Sequence, residues 1–119
     1  MKPEETKQLT IEALEDVKGR DIVVLDTRRL SSLFDCMIIA SADSSRQARA
    51  MSRRVQERVK ARGAAILGVE GEQDGDWVLV DLGSVIVHIM HPATRAYYNL
   101  EELWGPQFLH SARRQAASS

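Results

Sequence analysis

His88 and His91 invite a metal reading, because imidazole nitrogen is a common ligand for transition metals. The spacing argues against it. Residues three apart on an extended strand project to opposite faces, and no cysteine lies nearby to complete a site. His88 reads instead as a half-buried strand residue, and His91 as a polar strand-end residue that one hydrogen bond to a neighbour would satisfy. Ser41-Ala42-Asp43-Ser44-Ser45 follows an apolar run and opens a helix, a place where backbone donors can hold phosphate, but the geometry is too common to specify a ligand. Nucleotidyl transfer would further need closely spaced carboxylates on adjacent strands to hold a divalent cation. The run 36–40 offers none, and Asp26, Asp35 and Asp81 are scattered at strand or loop ends where solvation explains them. A nucleophilic thiol needs an activating base. Cys36, the single cysteine, sits beside Met37, Ile38 and Ile39 with no histidine close in sequence, and reads as a small buried hydrophobe. No catalytic residue, cofactor or metal is expected.

Recognition is the better-supported chemistry. Trp77 lies where the acidic stretch Glu70 to Asp76 enters an apolar run, flanked by Asp74 and Asp76. A tryptophan there can present a large rigid surface within a charged rim, the usual make-up of a protein-binding hot spot, and an acidic rim suits a basic partner. Periodicity alone leaves Trp77 open between that role and core packing, and reads Tyr97, Tyr98 and Trp104 as core or edge-covering residues. A second charged segment has the opposite sign: 46–62 carries Arg46, Arg49, Arg53, Arg54, Arg58, Lys60 and Arg62 against Glu57. A solvated helix face is the simplest account. With no aromatics interleaved, the segment suits an auxiliary electrostatic contact to RNA better than sequence-specific recognition.

These residues need a scaffold. Residues 4–18 predict an amphipathic helix, with Leu9, Ala13 and Val17 four apart, Leu14 alongside and Gly19 placed to stop it. Ile22 to Leu25 is a continuous apolar run typical of a strand covered on both faces, and Cys36 to Ala40 repeats the signal. Ser44 and Gln47 have capping-box spacing, and the helix behind them buries Ala48, Met51, Val55 and Val59 before Gly63 ends it. A strand at 66–69, a surface loop at 70–76, and a hairpin of 77–82 and 85–90 through Gly83 and Ser84 follow. Residues 93–104 predict a third helix covering one sheet edge. The order α-β-β-α-β-β-β-α predicts an α/β fold, a mixed five-stranded sheet with flanking helices. Residues 1–105 are expected to form one domain and 106–119 a flexible C-terminal tail.

Composition agrees. A chain of 119 residues, 44% hydrophobic and 28% charged, is sized and constituted for one globular core. Its net charge of −1 gives no general attraction to nucleic acid. No apolar run approaches the length of a membrane span, and MKPEETKQLT lacks the apolar stretch of a secretory signal, so a cytoplasmic location is expected.

The blocks DIVVLDTRRLSSLFD, SADSSRQ and GVEGEQDGDWVLVDLGSVIVHIMHPATRAYYNLEELW, in order and separation, resemble the ribosomal silencing factor or Iojap-like family over about residues 5–105. Cys36-Met37 stands where an aromatic-containing pair is more usual, and Asn99 where an aspartate is common. The resemblance implies a nucleotidyltransferase-like fold without the catalytic residues. It implies a translational repressor that binds a large-subunit ribosomal protein, L-fourteen, and sterically blocks association of the two ribosomal subunits during nutrient limitation or stationary phase. The alternative is a large-subunit assembly factor using the same docking site. Carried onto this chain, the contact residues are Asp76, Trp77, Leu79, His91 and Tyr98. A minor rRNA contact, and pairing of two copies when free, are further expectations.

Overall fold

The computed structural model describes residues 1–104 and 109–111. The first helix, α1, runs Pro3–Asp16, with proline in its first turn and Glu4 and Glu5 at the positive end of its dipole. It ends two residues earlier than its apolar spacing predicts. The residue that turns the chain is Lys18, at φ 61°, and not Gly19. Gly19 serves a different need: a Cβ there would lie 2.6 Å from the end of the Met51 side chain and 3.0 Å from the Leu14 carbonyl oxygen, so a larger residue would have to push the Met51 side chain of the second helix aside.

That helix, α2 (Ser45–Ala61), starts as its sequence predicts, with the Ser44 hydroxyl accepting from the Gln47 N–H at 3.1 Å. The reciprocal arm differs. The Gln47 carbonyl oxygen accepts from the Asp43 N–H instead of the Ser44 N–H, and its amide nitrogen donates to the Val17 and Lys18 carbonyls, tying the start of α2 to the end of α1.

The strands are β1 (Arg20–Asp26), β2 (Cys36–Ser41), β3 (Gly68–Glu70), β4 (Trp77–Asp81), β5 (Val85–Met90) and β6 (Leu109–Ser111), in the sheet order β3-β4-β5-β2-β1-β6. Only β2 and β5 run parallel; the other neighbours are antiparallel, so the sheet is mixed as expected. All five expected strands are present, β3 two residues later than its apolar run suggests. The sixth, β6, is an addition from the segment expected to be a tail: Leu109–Ser111 pairs with β1. The rest of that segment lies outside the described residues.

The sheet buries both faces, but unequally. On one, Ile22, Val24, Ile38, Val78, Val80, Val87 and Ile89 pack with Leu14 of α1 and with Met51, Val55 and Val59 of α2. On the other, Val23, Leu25, Met37, Ile39 and Met90 form a smaller cluster, roofed by Phe34, Trp77, Leu100 and Trp104. Roofing this second face falls to a short C-terminal pair: the expected single helix is broken into α3 (Pro92–Tyr98) and α4 (Leu100–Leu103) by Asn99, at φ 49° and ψ 56°. Asparagine tolerates this left-handed conformation, so the apolar spacing continues across a point where the backbone turns. Arg95 holds the pair down. Buried, it forms a bidentate pair with Glu101 at 3.1 and 3.2 Å and donates to the Ser41 hydroxyl at 2.9 Å.

Candidate docking surface

Strand alternation decides which residues reach the open face. On β4, Val78 and Val80 are fully buried under α2, which sends Trp77, Leu79 and Asp81 to the opposite side. On β5, Val87 and Ile89 join the same core, so Ile86, His88 and Met90 share the face of Trp77. The antiparallel register sets Trp77 opposite Met90 and Leu79 opposite His88.

Trp77 combines both roles that its sequence left open. One side packs on the second apolar cluster, while the residue as a whole stays only partly buried. Its indole N–H donates to Nδ1 of His88 at 2.9 Å. His88 is buried, not half-buried as its strand position suggests, and burial pushes its pKa down to about 4. Its Nδ1 is therefore an unprotonated acceptor at neutral pH, with the ring proton on Nε2. The only polar atom of the indole is thus satisfied internally, and what Trp77 offers to solvent is apolar surface.

Aromatic rings extend outward from this point. Trp77 lies 4.8 Å from Tyr98 between ring centroids, and Tyr98 lies 5.0 Å from Tyr97 in an edge-on arrangement. Tyr98 is 53% exposed and Tyr97 81% exposed, so neither is a core or edge-covering residue, as periodicity had suggested. Trp104 does cover the sheet, its ring edge-on to Phe34 at 5.4 Å. The buried-to-exposed series His88, Trp77, Tyr98, Tyr97 is the most distinctive feature of this face.

Asp76 and His91 border the series and lock it to the backbone. The His91 N–H donates to the Asp76 carbonyl at 3.0 Å, the Asp76 carboxylate accepts from the Thr94 hydroxyl at 2.8 Å, and His91 Nδ1 caps α3 by accepting from the Ala93 N–H at 3.4 Å. The structure therefore brings four of the five expected residues together, Asp76, Trp77, His91 and Tyr98, with half-buried Leu79 two residues along the same strand face. Sequence reasoning assigned Tyr97 to the wrong environment and passed over Ile86. Alternation in VIVHIM could have placed Ile86 on the face of His88.

The acidic loop is fixed more firmly than its composition suggests. Gly75 is buried at φ 74°, and a Cβ there would lie 2.7 to 2.9 Å from Ser45 at the start of α2. Glu72 turns inward, its carboxylate accepting from the Ser52 hydroxyl at 2.8 Å and the Gln56 amide at 3.3 Å. Asp76 accordingly ends a loop braced against a helix and Trp77 opens the strand that follows it, a preorganised arrangement that limits the entropy lost on binding.

No group of three or more His, Cys, Asp or Glu that could hold a metal ion occurs among the described residues. Cys36 is buried, and desolvation pushes its thiol up to about 11, so it is a protonated packing residue at neutral pH. The arrangement can present an apolar aromatic surface within a charged rim.

Comparison with known proteins gives this surface a context. The family model described as ribosomal silencing factor during starvation matches residues 1–118. The ribosomal silencing factor RsfS of Chromobacterium violaceum is 53% identical over 107 residues, covering 90% of this chain and 88% of that protein. A crystal structure of a protein from the same organism superposes with a TM-score of 0.86 at 53% identity, covering 88% of each chain. Similarity extends to a mouse protein named for mitochondrial assembly of the ribosomal large subunit, 32% identical over 99 residues that make up 81% of this chain and 43% of the mouse protein.

Proposed function

The chain belongs to the ribosomal silencing factor family, and from that premise we propose that it is a translational repressor that docks on ribosomal protein L-fourteen of the large subunit. Occupying that surface keeps the small subunit from joining and lowers translation when nutrients are short or growth has stopped. The observation that carries the reading is the exposed aromatic series beside Asp76. Trp77 supplies the anchor, Tyr98 and Leu79 extend its apolar area, and Asp76 and His91 form the polar rim. Acidic groups at the rim complement a basic ribosomal protein and set orientation and association rate. Steric blocking needs only occupancy, so the reading assigns no catalytic residue and no cofactor, and it places the protein in the cytoplasm. Among the described residues no helix is long and apolar enough to cross a membrane. A second copy of the chain could cover the same apolar face when the ribosome is absent.

Co-sedimentation with purified subunits tests the docking. Binding to large and not small subunits, lost when L-fourteen is masked, supports it; equal binding to both subunits contradicts it. The name of the mouse relative favours one second reading, a role in large-subunit assembly through the same site. Ribosome profiles of a deletion strain separate the two. Immature large particles point to assembly, whereas complete subunits that stay joined during starvation point to silencing.

A further inference from the structure

We infer that the outward face of α2 is an RNA-backbone contact to large-subunit rRNA; the inference rests on the docking reading. The helix carries six basic residues and one acid, Glu57, in a chain whose net charge is −1. The side facing α1 is neutralised from within. Arg58 pairs with Glu12 and Asp16 of α1, and Arg62, just beyond the helix, pairs with Glu5. On the other flank the Glu72 carboxylate accepts from the Ser52 hydroxyl and the Gln56 amide.

Between these flanks Arg46, Arg53, Arg54 and Lys60 are exposed and make no hydrogen bond or ion pair among the described residues. Arg46, Arg53 and Lys60 are spaced by seven residues, two helical turns, so they form one line about 10 Å from step to step and roughly 21 Å long. Arg49 lies on the same line and reaches only the backbone carbonyls of Glu72 and Gln73, at 3.5 Å, which leaves its charge unneutralised. The line points away from the buried stripe Ala48, Met51, Val55 and Val59.

The chemistry that fits a straight row of unpaired cations without interleaved aromatics is a row of phosphodiesters, met by charge and not by base stacking. An acidic peptide would match the sign, but Met51, Val55 and Val59 are buried, so the face offers such a peptide no apolar residue to seat on. Because α2 covers the sheet face opposite Trp77, one surface can hold the ribosomal protein while the other meets RNA. The basic line adds salt-dependent affinity that carries no sequence specificity.

The test measures affinity for purified large subunits across potassium chloride from about 0.05 to 0.2 M, for wild type, for Arg46→Gln/Arg53→Gln/Lys60→Gln, and for Arg46→Lys/Arg53→Lys. Each phosphate contact contributes about 0.7 to 0.9 to the slope of log affinity against log salt, so the triple Gln variant is expected to lose about 2 from the slope and roughly tenfold in affinity at about 0.1 M salt. The Lys variant keeps both. A triple variant with wild-type affinity and slope overturns the inference and leaves the docking reading intact. Wild type that fails to bind large subunits at any salt removes the docking reading and this inference with it. Charge-dependent binding to vesicles containing an anionic lipid, without a change on large subunits, assigns the face to a membrane and overturns the inference.

Discussion

Trp77 has one polar atom, and the fold satisfies it with a buried histidine. That pairing explains how a tryptophan can present apolar area at an open face without an unsatisfied donor in the way of a partner. Truncation to alanine removes the anchor, and Trp77→Ala is expected to weaken large-subunit binding by about 2 kcal/mol or more. Sedimentation binding on protein whose circular dichroism shows it folded checks this. His88 makes the same contact sensitive to acid. Its folded pKa, about 4, lies below the ordinary value of about 6.5, so between those values the unfolded chain holds more protons than the folded one. Stability is therefore greatest above pH ~6.5 and falls as pH drops toward about 4, by up to about 3 kcal/mol from this residue. Protonation also converts Nδ1 from acceptor to donor, which breaks its bond to the indole. Urea unfolding at a series of pH values measures the loss, and in His88→Gln the part of the slope between pH ~4 and ~6.5 is expected to flatten. Neither the bond nor the shift could be read from sequence. That His88 belongs to a strand was legible, but its partner depends on a cross-strand register placing position 88 beside Leu79 and within reach of Trp77.

The elements that position the site divide into those that apolar periodicity specifies and those that it does not. Strands β1, β2, β4 and β5 and helix α2 carry uninterrupted patterns, and each lies where its pattern predicts to within two residues. The break at Asn99 was hidden because Tyr97, Leu100, Leu103 and Trp104 keep helical spacing while the backbone changes hand. Strand β6 was hidden because three residues carry too little pattern to distinguish them from coil. Packing of the acidic loop on α2 was equally invisible, since glycine in a loop reads as a turn residue whether or not something lies against it. The consequence can be measured. Gly75→Ala places a methyl against the backbone of Ser45 in a left-handed conformation, and is expected to cost about 1–3 kcal/mol of stability and to displace Asp76 and Trp77. Thermal melts give the first effect. Loss of large-subunit affinity beyond the fraction unfolded gives the second, and unchanged affinity would mean that the loop is not what holds the anchor in place.

On the scale of the whole molecule the sheet separates two surfaces. Its fully helix-covered side carries the basic line of α2, while its partly roofed side carries the aromatic series and the bordering acid. The family resemblance was legible in spaced blocks, and the family match bears it out. The sheet's mixed character was legible too, whereas which aromatics reach solvent required the folded chain. A body with principal extents of 34 × 32 × 28 Å is far thicker than the water layer between two touching surfaces, so seating it at a subunit interface prevents closure by volume alone. The most direct test follows subunit joining by light scattering, with large subunits first saturated with this protein and small subunits then added. The account predicts that the joining signal is lost in proportion to occupancy and returns with Trp77→Ala at the same protein concentration. Full joining on large subunits shown to be occupied would contradict it.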